Sequence, residues 1–171
     1  MNDIEVLEYL CKFLKDNVAN KIKLEKPPDR GKVEEDYELV KPAVHEGWVP
    51  PKNFSDYGYD VPGIIVMIDD GSEDTLAELN VRLKIVTYDP GTTQEDGILS
   101  PNTKGYKDLL NVITRIRIEL SQNPIILEKV NVNKPIKWSM DEEQSYPYWS
   151  ANISFGVSIA PLLFNINEQY L

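Results

Sequence analysis

A nucleophile needs a base beside it, and this chain has one histidine and one cysteine for both roles. His45 stands in Val-His-Glu-Gly ahead of the Pro50-Pro51 pair, a setting that reads as a partly exposed packing residue rather than a general base. Cys11 falls on the apolar side of an N-terminal amphipathic pattern and reads as a small core residue. The densest carboxylates are Asp69, Asp70, Glu73 and Asp74, in IDDGSED. A calcium loop needs oxygen ligands at alternating positions, then a glycine and a later glutamate. Here Asp69 and Asp70 are adjacent and Gly71 arrives too early, so the stretch reads as a solvated hairpin turn. No Gly-x-Gly-x-x-Gly or Gly-Lys-Ser/Thr run occurs, so no phosphate-cradling loop is expected. Arg82, Arg115 and Arg117 read as surface ion-pair partners. These residue types predict no catalytic group, no metal site and no cofactor.

The balance of charge excludes other classes. The 171 residues carry 28 acidic against 18 basic side chains, a net charge of -10. Holding nucleic-acid phosphate takes a basic patch, so no sequence-specific nucleic-acid binding is expected, and no polybasic membrane contact. A single cysteine allows no internal disulfide. The first residues are charged throughout, unlike a secretory signal, and the longest apolar run, GIIVMI, is too short to cross a bilayer. The expectation is an acidic single domain made and kept in the cytoplasm unless it leaves inside a larger particle.

Strongly patterned elements must position whatever the surface offers. In Gly105–Ser121, Leu109, Ile113, Ile116 and Leu120 recur at i, i+4, i+7 and i+11 with Val112 beside them, which predicts a helix with one apolar face. Thr103 or Gly105 is its candidate cap, and Asn123-Pro124 ends it. A second helix starts at Asn2, with Glu5 as capping-box partner, and aligns Ile4, Leu7, Cys11, Leu14 and Val18. Val61–Ile68 has the continuous apolar pattern of a strand covered on both faces. Asp69–Thr75 reads as a turn, and Ala77–Tyr88 as the returning strand of an antiparallel hairpin. Ile125–Val132 and Pro135–Met140 predict a second hairpin with Asn133-Lys134 near its tip, followed by an acidic loop at Asp141–Ser145. Tyr148–Pro161 alternates most strictly, with Ala151, Ile153, Phe155, Val157 and Ile159 on one face.

The connecting stretches are less regular. Lys21–Glu25 is a candidate short strand, as are Glu38–Val40 and Ala43–Glu46. Asp89–Lys104 is a long, turn-rich loop of the kind that is functional or mobile. Residues 26–60 mix aromatics and prolines with no sustained period, and predict an ordered, irregular excursion over the surface. The predicted fold class is α+β: a mainly antiparallel sheet with two helices packed on one face, plus that long aromatic-rich excursion, within one domain spanning 1–171.

What is unusual is the surface. Ile118 points away from the core stripe of its helix. Trp48, Tyr57, Tyr59, Tyr146, Tyr148 and Trp149 stand in or beside irregular segments, where aromatics supply contact area at low entropic cost. Ile118, Trp48, Pro50, Pro51, Tyr146 and Trp149 are the candidate subunit or partner interface.

Taken together, GYKDLLNVITRIRIEL followed by PIKWSMDEEQSYPYWSANISF resembles a tail-terminator or tail-completion protein of tailed bacteriophages and phage-tail-like particles. PAVHEGWVPPK ahead of VPGIIVMI, and VRLKIVTYDPG leading through a long loop into the helix, are similar to the same family. The resemblance covers most of Pro42 to Pro161; the length and acidity of residues 26–60 depart from it. It implies a small subunit of a ring, usually a hexamer, that caps the head-proximal end of a tail tube, ends its polymerisation and presents a surface to the neck. The implied partners are other copies of the chain, the tube protein, and sheath and neck or connector proteins. The implied location is the host cytoplasm during assembly and then the virion or phage-tail-like particle. In such a ring Asp69, Asp70, Glu73 and Asp74, with Asp141, Glu142 and Glu143, are candidates for an acidic lumen that repels passing DNA. Solvated loops that keep the subunit soluble are the simpler account of the same residues. A head–tail joining (neck) protein, and a small-ligand-binding or enzyme accessory domain, are the other classes left open.

Overall fold

The computed structural model describes residues 1–28, 38–49 and 56–161, so the candidates Pro50 and Pro51 lie outside the described residues, as does part of the 26–60 excursion. In chain order come α1 (Asp3–Asn17), a 3-10 turn (Ala19–Lys21), β1 (Leu24–Glu25), β2 (Leu39–Val40), β3 (Ala43–Glu46), β4 (Gly63–Glu73) and β5 (Ala77–Tyr88). Then follow β6 (Thr92–Thr93), β7 (Leu99–Ser100), α2 (Lys104–Gln122), β8 (Ile125–Ile126), β9 (Val130–Met140) and β10 (Tyr148–Ile159). Six strands form one sheet in the order β3-β4-β5-β10-β9-β8. Every pair in it is antiparallel except β3–β4, so the sheet is mixed and the fold is α+β.

The strand with the strictest alternation lies inside the sheet. Ala151, Ile153, Phe155, Val157 and Ile159 of β10 stand opposite Ile85, Leu83, Val81, Leu79 and Ala77 of β5, and all ten are buried. Residues directly opposite in an antiparallel pair share a face. Ile64 and Val66 of β4 extend that face through Ile85 and Leu83. Onto it α2 lays Leu109, Val112, Ile113, Ile116 and Leu120, in contact with β5, β10 and β9. The first helix adds Val6, Leu10, Phe13 and Leu14 to the same cluster. It touches β3 and β4 at one end of the sheet order and β8 at the other, so the sheet curls around it. No helix among the described residues is long and apolar enough to cross a membrane.

Four local expectations are corrected. The inward face of α1 is rotated from the predicted one: Ile4 is 67% exposed, while Val6, Leu10 and Phe13 are buried beside Cys11 and Leu14. This helix is apolar around much of its circumference, and the curl of the sheet rather than the helical period selects the face. The carboxylates after Ile68 are not a turn. A bulge between Ile68 and Asp70 lets β4 continue to Glu73, with the reversal confined to Asp74–Leu76. The cap positions before α2 behave differently too. Thr103 is left-handed (φ 60°) and makes no side-chain cap, while Gly105 is buried in the first turn.

The second hairpin is the largest departure. Its reversal comes early, through Leu127 and Glu128 at φ 48° and 60°, and β9 then runs unbroken from Val130. Asn133 and Lys134 are mid-strand. Lys137 pairs with Ser154 and Asn133 with Gly156, so Lys134, Pro135 and Ile136 bulge out opposite Phe155. A proline has no N–H for the ladder, and a bulge is where a strand tolerates one.

The two faces of β10 differ sharply in burial. Phe155→Ala is expected to cost ~3–5 kcal/mol in urea unfolding, against under ~0.5 kcal/mol for the exposed Ser154→Ala. Equal losses would contradict the one-sided core.

Candidate functional site

The two residues with intrinsic reactivity are both interior. Burial, with a contribution from the Glu46 charge, raises the Cys11 thiol to about 12, so it stays protonated. His45 packs in the interior, more buried than the partly exposed packing residue expected, with its ring edge-on to Tyr57 at 5.9 Å between centroids. Burial pushes its pKa down, against an opposing pull from Asp60, which favours the neutral ring. Among the described residues no group of three or more His, Cys, Asp or Glu is arranged to hold a metal ion.

The surface outside the core is organised by the β9 bulge. Thr114, Arg117, Ile118 and Ser121 sit at i, i+3, i+4 and i+7 on one flank of α2. With Gln122 they face Lys134, Pro135 and Ile136 across a groove of about 760 Å³. Ile118 is 45% exposed there, as its outward placement predicted. The lining contains two cations and no carboxylate, in a chain whose net charge is -10. β8 pairs with Val130 and Asn131 and the Val132 N–H donates to the Pro124 carbonyl at 2.8 Å, so among the described residues β9 is an open edge beyond Val132, with Trp138 42% exposed on it.

A second apolar group stands at the other end of the sheet order. After β3 the chain turns tightly at Gly47 (φ 72°), with the Trp48 N–H donating to the Glu46 carbonyl at 2.8 Å. The Gly47 N–H donates to the Val66 carbonyl at 2.7 Å and ties the turn to β4. Trp48 projects from it 64% exposed, beside the exposed Glu46. β3 and β9 are four strand-to-strand steps apart, and Trp48, 64% exposed, is not among the residues that line the Ile118 groove.

The remaining candidates have other employment. Trp149 is half-buried, its indole N–H donating to Asp89 at 3.2 Å and its ring 5.3 Å from that of Tyr106. Tyr146 is exposed in the loop between β9 and β10, three residues before Trp149. Asp89 is fully buried, accepts from the Gly91 N–H at 2.8 Å, and lies where a side chain on Gly105 would meet its Cα at 2.9 Å. It pins the long loop, the start of α2 and Trp149 together. Sequence reading missed this role, although Asp-Pro-Gly after a strand is a recognisable turn signal.

The acidic candidates lie on the outer face of the sheet and in the loops at its two ends. Asp69 accepts from Arg82 at 2.9, 3.0 and 3.2 Å, and Asp70 from Asn80 at 2.7 Å. Glu73 and Asp74 lie exposed near that hairpin tip, and Glu142 and Glu143 in the loop after β9. Glu73 and Asp74, at the Ala77 end, and Glu142 and Glu143, at the Tyr148 end, are separated by roughly 35 Å of strand, whereas Asp69 and Asp141 bind Arg82 and Lys84, two residues apart on β5. Asp141 is bound into the outer face by Lys84, Ser150 and Asn152, the last at 2.6 Å. Partial burial pushes its pKa up, but hydrogen bonds from those groups and the Lys84 charge outweigh this and hold it below the usual carboxylate value.

A depressed folded pKa gives stability that is full above the unfolded value, near 4, and is lost as pH falls through the folded one. Asp141→Asn is therefore expected to cost about 1–2 kcal/mol at neutral pH. The gap from the parent should close as pH is taken well below about 4, read from urea midpoints across that range. A gap independent of pH would contradict the ion-pair account.

No family model matches the chain, and no curated protein matches it.

Proposed function

We propose that the protein is the subunit of a homo-oligomeric ring that caps the head-proximal end of a phage or phage-like tail tube. In this reading the ring ends tube polymerisation and presents the surface that the neck binds. The observation that carries the ring is the placement of two unlike apolar patches, the Trp48 turn and the Ile118 groove, near opposite ends of one sheet. Unlike patches make head-to-tail contacts, and head-to-tail contacts close into rings when the rotation permits. The tail-tube assignment rests on the resemblance of the segments from Pro42 to Pro161.

A terminating ring must let DNA through without gripping it. The net charge of -10 per copy, repeated around a ring, repels phosphate over a Debye length of roughly 8 Å at physiological salt. Glu142 and Glu143 are exposed in the loop after β9, and we assign them to the passage. The hairpin carboxylates Asp69 and Asp70 are occupied by Arg82 and Asn80, which favours a structural role for that pair.

Capping predicts a change in length. Tube protein polymerised with this protein present should give shorter tubes with added density at one end in electron micrographs. Tubes of unchanged length with bare ends would reject the reading, and binding to head connectors alone would favour a neck subunit. The joint replacement Glu142→Lys and Glu143→Lys should leave particle number unchanged and reduce DNA delivery. Unchanged delivery would remove these two residues from the passage.

A further inference from the structure

We infer that the occupant of the α2–β9 groove is the Trp48 turn of the next copy of this same chain. The inference rests on the ring reading above and specifies its contact. The groove is lined by the apolar Ile118, Pro135 and Ile136 together with the cations Arg117 and Lys134. The Trp48 turn offers the complement: an indole standing 64% exposed, with the Glu46 carboxylate two residues before it. Tryptophan is the side chain most enriched where a single residue anchors an interface, and a guanidinium such as Arg117 also favours its ring face. A groove of about 760 Å³ admits the indole together with the backbone of its turn.

Charge points the same way. The groove lining lacks carboxylates although the chain carries 28 of them, so an acidic turn is attracted to it. A copy does not fill its own groove. Four steps of ~4.8 Å separate β3 from β9 along the sheet, and α1 occupies the inside of the curl. Strand pairing between copies is disfavoured at the open edge of β9, because Lys134, Pro135 and Lys137 are the residues that blunt an edge. Contact there runs through side chains.

The contact is directional, and this gives a mixing experiment. Trp48→Ala keeps the groove and loses the anchor, whereas Ile118→Asp keeps the anchor and spoils the groove. Sedimentation velocity of the full chain, over a concentration series, should show the parent as a species larger than a dimer. Each variant alone should be monomeric, with the contact weakened at least about 30-fold, the equivalent of ~2 kcal/mol. Both residues are exposed, so each variant should unfold cooperatively with a melting temperature near that of the parent at a dilution where it is dissociated. Mixed in equal amounts, the two variants should form a heterodimer and nothing larger, through the one intact anchor and the one intact groove.

Variants that disrupt assembly but stay monomeric when mixed would overturn this contact and give the groove a different occupant, such as residues 162–171 or a tube subunit. Variants that assemble as the parent does would overturn it while leaving the ring intact. A parent chain that remains monomeric at the highest concentration would reject the ring reading together with this inference.

Discussion

The structure depends on β10 being apolar and fully buried on one face and polar on the other while it is paired along both edges. Five of its side chains, from Ala151 to Ile159, interlock with five of β5, and both helices lie on the surface this creates. A one-residue slip of β10 would turn every one of those side chains to the polar side, so the register is strongly specified. The opposite face is held by polar pairs instead, Asp69 with Arg82, Asp70 with Asn80, and Asp141 with Lys84 and Asn152. With one face covered by helices and the other polar and paired, the sheet margins and the flank of α2 carry part of the exposed apolar surface, Trp48 and Ile118 among it.

The β9 bulge makes that margin. Bulging Lys134–Ile136 opposite Phe155 re-aims Pro135 and Ile136 toward Ile118 and its neighbours on α2. The same three residues withdraw part of the edge from strand pairing, so one local irregularity creates a groove and protects an edge. At the other margin, glycine supplies the positive φ that the Trp48 turn requires. A patch on each margin is the arrangement that the proposed head-to-tail ring would use for its anchors.

Much of this was legible in the sequence where a period was sustained. The stripe of α2, the capping box of Asn2 and Glu5, the limits of β5 and the buried residues of β10 follow from spacing alone. The exposed positions of Ile118 and Trp48 were legible as well, since neither belongs to a periodic apolar face. What spacing could not supply was set by tertiary context. The DDGSE segment has turn composition, yet pairing with β5 across a bulge holds it as strand. Pro135 reads as a break between strands, whereas the structure makes it a bulge within one. The face of α1 depends on a sheet that curls around it, and Asp89 is recruited by Trp149 from sixty residues away. His45 reads as partly exposed because Tyr57, which packs against its ring, comes from a different part of the excursion.

The central claim is that copies of this chain join margin to margin. Amide hydrogen exchange, measured on the protein alone at low and high concentration, tests it most directly. The account predicts added protection at high concentration around Glu46–Val49, along β9 beyond Val132, and over the outer flank of α2 near Ile118. It predicts no change at β5 and β10, whose amides are already in the sheet. Exchange that is independent of concentration everywhere, or new protection confined to the β4–β5 hairpin tip, would contradict it.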